Sequence, residues 1–241
     1  MQLIVGTYSV PLAGMHGEGE GIYSVAFEGK TREFGAPKLL ADCINPSSLA
    51  LSPDGSLLFA GREVFKADGP ALASFRVAAD GALTALSEVP ITGELPCHIA
   101  FDAVHNRLAS AQYWSGDVAI SVVNDGVLQP PSYLTRTGHG PNAGRQEGPH
   151  AHFVAFSDAG TVLHLVDLGT DAIVSHRLGA DNTAVEIATV KVPPGSGPRH
   201  MVLNHAETRA WVLCELSETL IALKRDGLGW TIDSIQAGFD A

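Results

Sequence analysis

Four prolines, Pro46, Pro96, Pro149 and Pro198, recur at intervals of 50, 53 and 49 residues, and each opens a stretch built to the same plan. NPSSLALSPDGSLLFAG (from Asn45), LPCHIAFDAVHNRLASAQ (from Leu95), GPHAHFVAFSDAGTVLHLVD (from Gly148) and GPRHMVLNHAETRAWVLCE (from Gly197) run from small or polar residues into an alternating apolar segment, a turn and a second apolar segment. Such alternation is the period of a strand and contradicts the three-and-four spacing of a helical solenoid. Two more strand-like runs follow in each interval, ALASFRV and LTALSEV in the first, GDVAISVV and the stretch after Gly126 in the second. Four short strands per repeat is the plan of a propeller blade. The chain is therefore expected to be all-β, a single β-propeller domain over residues 1–241 made of four-stranded antiparallel blades at 46–95, 96–148, 149–197 and 198–241.

Residues 1–45 follow the same plan without its innermost strand: LIVGTYS, GIYSVAFE and KLLADC stand where the second, third and fourth strands of a blade would. A propeller usually fills such a gap with a strand lent by the other terminus, which removes an open sheet edge. Here GWTIDSIQAGFDA reads as the outer strand of the last repeat, with no closing strand after it. The pattern predicts about five blades, an incomplete copy of a larger ring, with open sheet edges that favour self-association.

Charge and composition narrow the function classes. With 15 Lys+Arg against 26 Asp+Glu the net charge is −11, and no basic cluster offers a track for phosphates, so nucleic acid is not an expected partner. No run reaches the roughly 18 apolar residues of a membrane span, and MQLIVGTYSVPLAG lacks a basic leader, so a cytoplasmic protein without a membrane partner is expected. Cys43, Cys97 and Cys214 are odd in number and lack CxxC spacing, which suggests reduced thiols rather than a disulfide framework or a zinc site.

The first strand of every blade lines the central channel, so residues just after each repeat proline converge although they lie fifty positions apart. They are Ser47 and Ser48, Cys97 and His98, His150 and His152, and Arg199 and His200. A second convergent position, sixteen to eighteen residues after each proline, holds Arg62, Gln112, Asp167 and Glu215. Histidines, an arginine and carboxylates at one channel mouth would make an acid/base site with an anion-binding group. Each also has a plainer reading: His98 and His200 as hydrogen-bonded channel lining, and Asp167, which begins DLGTD, as an acceptor for turn amides. His150 and His152 share a strand face and could ligate a metal, but no third ligand at a recognisable spacing joins them, so no metal is expected. TGHGPNAGRQEG (137–148) is rich in glycine yet has no GK[ST] ending and reads as an interblade loop, from which Arg145 could reach an anionic ligand. No GxSxG elbow is present, which weighs against a serine hydrolase.

VGTYS followed by GIYSVAF, NPSSLALSPDGSLLFA, PCHIAFD with SGDVAISVV, GPHAHFVAFS, VDLGTD and GSGPRHMVLN occur in an order that resembles the lactonase family of seven-bladed β-propellers. NPSSLA or SPDG alone is common to many propellers; PHAH, DLGTD and GPRHM together carry the resemblance. It implies hydrolysis of a sugar lactone, 6-phosphogluconolactone to 6-phosphogluconate in the pentose phosphate pathway, with no required cofactor. The related fungal muconate-lactonizing enzymes combine a histidine, an arginine and a glutamate. Those roles fall on His152, with His150 as the close alternative, on Arg199 and on Glu215, with His150, His200, His98, Asp167 and Arg145 around the substrate. Two departures stand out: Cys214 occupies a position where the family usually has asparagine, and the chain has material for about five blades of seven.

On this reading His152 activates water, Glu215 orients or polarises that histidine or shares the proton transfer, and Arg199 clamps an anion or the oxyanion. A lyase or cycloisomerase on the same scaffold, and a non-catalytic binding propeller, are the competing readings.

Overall fold

A computed structural model describes residues 1–238; the last three residues of the fifth expected blade lie outside it. Five antiparallel sheets follow one another along the chain. The second sheet comprises Pro46–Leu51, Leu57–Arg62, Ala71–Val77 and Leu83–Pro90. The fourth comprises Ala151–Ser157, Val162–Asp167, Ala172–Leu178 and Ala184–Lys191, and the fifth Pro198–Leu203, Arg209–Cys214, Thr219–Asp226 and Gly229–Ala237. The third has Pro96–Asp102, Arg107–Gln112 and Val118–Asn124, with its outer strand broken into Val127–Leu128 and Ser132–Leu134. These sheets have the four-stranded antiparallel form expected of propeller blades. The one helical turn among the described residues is Lys66–Asp68.

The first sheet is the expected partial blade. Gln2–Gly6 pairs with Gly21–Glu28, which pairs in turn with Glu33–Phe34 and Lys38–Asp42. Among the described residues no strand pairs with the other edge of Gln2–Gly6.

The apolar core lies between blades. Ile22, Leu58, Ala60 and Phe75 join the first two, Phe59, Leu72, Ile99 and Leu108 the next pair, Ile120, Val154, Leu163 and Leu165 the third pair, and Val166, Ile173, Val212 and Trp230 the last. Every residue of the second strands RLASAQ and VLHLVD is buried because a neighbouring blade covers each face. In the fifth blade the equivalent strand, RAWVLC, alternates, and Val202 and Leu213 are exposed. At Gly6, a Cβ would stand 1.8 Å from the Pro46 carbonyl oxygen, so blade one approaches blade two closely only because this residue is glycine.

Candidate functional site

Strand register reveals two rings of side chains at the channel mouth. Pro46 pairs with Arg62, Pro96 with Gln112, Ala151 with Asp167 and Pro198 with Cys214, and in all four blades the ladder skips the next residue of the inner strand. The skipped residues are Ser47, Cys97, His152 and Arg199. A β-bulge re-aims the side chain of its extra residue, and all four line one cavity of about 400 Å³. The register makes Ala151, not Pro149, the counterpart of the other three prolines, so Phe153 rather than His152 corresponds to His98 and His200.

The second ring is formed by the residue just past each second strand: Glu63, Tyr113, Leu168 and Glu215. Their amides donate to the carbonyls of Asn45, Leu95, His150 and Gly197 at 3.0, 2.8, 2.9 and 2.8 Å, one repeated bond that ties the inner strand to the end of its neighbour. Glu63, Tyr113 and Glu215 reach the cavity. Sequence spacing from the prolines reached Glu215 but stopped one residue short in the other blades, at Arg62, Gln112 and Asp167. Taking the residue after each of these would have found Glu63 and Tyr113.

His152, Arg199 and Glu215 line the same cavity, with His200 and Arg145. Glu215 accepts from Arg199 on one carboxylate oxygen and from Arg145 on the other, and the arginines hold its carboxyl below the usual range against the opposing effect of burial. Two guanidiniums against one carboxylate leave this wall one positive charge in excess. Burial, followed by the nearby Arg199 charge, pushes the His152 imidazole down to about 3, so it is neutral at pH 7. Its Nδ1 lies 3.8 Å from Cys97 Sγ, and among the described residues Nε2 has no protein partner. Burial also makes Cys97 a poorer acid. The His152 and His200 rings meet edge to face with centroids 5.2 Å apart, and burial and Arg199 lower His200 as well.

Arg145 comes from the glycine-rich loop, and the fold explains how. Gln146 is fully buried and donates to Leu168 O at 2.9 Å and Asp171 Oδ1 at 2.8 Å, which anchors the loop to blade four and leaves Arg145 over the cavity. A Cβ on Gly140 would stand 2.5 Å from the Gln146 amide, so a larger residue there must displace this anchor. Tyr113 OH accepts from Arg145 Nη2 at 3.3 Å, adding a second support.

Three of the expected site residues do not line the cavity. His150 stacks on Tyr113 with centroids 4.6 Å apart and its Nδ1 is 2.9 Å from Tyr113 O, so it braces Tyr113. Asp167 accepts from the amides of His150, Gly169 and Thr170 and from the Thr170 hydroxyl, the turn-stabilising arrangement of its plainer reading. His98 stacks on Phe153 at 3.9 Å and its Nδ1 accepts from Val154 N at 3.4 Å. Tyr8, Leu12, Ala13 and Met15 also line the cavity; they follow the strand Gln2–Gly6, which ends before Tyr8 although LIVGTYS reads as one strand from the sequence. No group of three or more His, Cys, Asp or Glu among the described residues is arranged to hold a metal ion.

Residues 2–238 match the family described as lactonase, 7-bladed beta-propeller. The chain belongs to this family. It is 35% identical over 224 residues to the 6-phosphogluconolactonase of Bacillus subtilis, covering 91% of this chain and 61% of that protein. It is 30% identical over 206 residues to the 6-phosphogluconolactonase of Formosa agariphila, covering 83% and 58%. The chain therefore spans about three fifths of the length of these curated relatives. Among solved structures, the periplasmic gluconolactonase of Pseudomonas aeruginosa superposes with a TM-score of 0.89 at 27% identity over all of this chain and 69% of that one. No helix among the described residues is long and apolar enough to cross a membrane.

Proposed function

We propose that this propeller hydrolyses a sugar lactone, 6-phosphogluconolactone, to the open acid, and does so in the cytoplasm. The observation that carries the reading is one cavity lined by a neutral, buried imidazole, His152, beside the cationic Arg145–Glu215–Arg199 cluster. The relatives named 6-phosphogluconolactonase supply the substrate class.

Neutral His152 accepts a proton from water as the oxygen adds to the lactone carbonyl. The developing oxyanion takes hydrogen bonds from Arg199, and collapse breaks the bond between the carbonyl carbon and the ring oxygen. The imidazolium returns its proton to the leaving alkoxide, so one water is consumed and one acid released. Glu215 keeps both guanidiniums oriented and favours the charged imidazole.

The test is acid release under pH-stat control with 6-phosphogluconolactone. His152→Ala should lower kcat by roughly a hundredfold or more, the usual loss for a general base, with an unchanged unfolding midpoint. Full activity in that variant, or an isomer in place of the acid, overturns the proposal.

A further inference from the structure

Glu63 is the counterpart of Glu215 in blade two, but its surroundings differ. Glu215 holds two arginines; among the described residues Glu63 takes part in no ion pair, and Oε2 accepts one hydrogen bond, from Tyr8 OH at 2.7 Å. It is 9% exposed, and both it and Tyr8 line the cavity. A carboxylate offers about four lone-pair directions, so one partner leaves most of its accepting capacity unused. The phenol, donating its hydrogen bond to Glu63, also presents an oxygen lone pair. Burial and the adjacent carboxylate make that phenol a weaker acid, which keeps the proton on Tyr8.

The pair is built into the scaffold. Asn45 is fully buried; its Nδ2 donates to Glu63 O at 3.2 Å, and its carbonyl accepts the Glu63 amide at 3.0 Å. Its Oδ1 accepts from Ser9 N at 2.8 Å and Val10 N at 3.0 Å, which fixes the segment carrying Tyr8. One side chain thus holds both halves in register, which is what a preorganised recognition site requires.

The cavity is therefore lined by two unlike sets of groups. Arg145, Arg199 and His200 can donate to an anion; Glu63 and Tyr8 can accept from hydroxyl groups and repel an anion. We propose that Glu63 and Tyr8 form a polyol subsite that accepts hydrogen bonds from neighbouring hydroxyls of the sugar acid or lactone and directs its anionic end to Arg145 and Arg199. The inference rests on the sugar-lactone reading for the identity of its ligand and adds the residues that select hydroxylated over bare anions.

Titration calorimetry with the full chain tests it, using 6-phosphogluconate and inorganic phosphate as probes. Wild type should bind 6-phosphogluconate at least about tenfold more tightly, as expected for hydrogen bonds to a charged acceptor. Glu63→Gln, which replaces an acceptor by a donor at constant shape, and Tyr8→Phe should each remove most of that preference without weakening phosphate binding by more than about twofold. Arg199→Ala should weaken both probes. Unfolding midpoints identify any misfolded variant, and either of the two subsite substitutions suffices. An unchanged preference in a folded Glu63→Gln or Tyr8→Phe protein, or no preference in wild type, overturns the proposal. Lactone hydrolysis on the same samples separates the two readings: hydrolysis with an unaltered preference sinks the subsite alone, whereas the expected binding pattern without hydrolysis sinks the lactonase reading alone.

Discussion

His152 and Arg199 occupy the same place in consecutive blades: each is the residue that the ladder skips between the inner strand and its neighbour. Because both bulges fall at the same register, a base and a cation separated by a whole repeat face the same cavity. The scaffold supplies the geometry and the local sequence supplies the chemistry, for Ser47 and Cys97 fill this place in the two preceding blades. Arg199→Lys should therefore fail, although the charge is kept. One ammonium cannot bond Glu215 and a substrate oxygen in the fixed directions of a guanidinium, so a loss of about tenfold or more in kcat/KM is expected. Kinetics of the variant beside wild type check this, and full activity would place the anion contact elsewhere.

The depressed imidazole of His152 has a kinetic signature. In an ordinary histidine the base form disappears as pH falls through about 6.5, whereas burial carries this ring down to about 3. The base form thus persists through weak acid, and kcat/KM, which reports the free protein, should stay level from pH 7.5 to 5. A fall centred near pH 6.5 would show that an unperturbed group controls the reaction.

The blades were legible because their period survives in prolines and alternating apolar runs, and the same alignment reached Ser47, Cys97, His152 and Arg199. What it blurred was register. Pro149 lies two residues ahead of Ala151, so His150 appeared beside His152 as its close alternative, while the fold turns it against Tyr113. Asp167 and Glu215 looked alike from spacing; one residue of offset makes the first a turn acceptor and the second a cavity carboxylate. Tyr8 stands inside LIVGTYS, which reads from the sequence as one strand, but the strand ends at Gly6; residues 7–20 form a connection whose approach to Glu63 depends on Asn45, whose bonds cross 36 residues to Ser9 and 18 to Glu63.

Acid should destabilise the fold through its buried histidines. His164 is fully buried, with Nε2 2.8 Å from Ser157 Oγ and Nδ1 accepting from Trp230 Nε1 at 3.3 Å. Burial and then Arg225 push it down to about 3; burial and then Arg136 take His176 to about 4. Below about pH 6.5 the unfolded chain binds protons that the native rings refuse, so stability present at pH 7 is lost as pH falls towards these values. The slope is at most about 1.4 kcal/mol per pH unit for each such ring. Urea midpoints at pH 7, 5.5 and 4 should fall in order, and His164→Asn should flatten the trend. A midpoint independent of pH over this range would contradict the buried, neutral assignment.

Asp171 should matter to both stability and the cavity although it does not line it. One oxygen accepts from Gln146 Nε2 and Gly197 N, each at 2.8 Å, and the other from Gly195 N at 2.7 Å. It thereby fastens the loop carrying Arg145 and the turn that precedes Arg199, the two guanidiniums gathered on Glu215. Asp171→Ala leaves two backbone amides and a buried side-chain amide without their acceptor, at about 1–3 kcal/mol for each donor that finds no water. A loss of about 2–4 kcal/mol in urea unfolding is expected. With both arginines released from a common anchor, KM for an anionic lactone should rise more than kcat falls, because the proposed base, His152, on its own strand is untouched. Wild-type stability in Asp171→Ala, or a change confined to kcat, would mean that the two loops are held by other contacts.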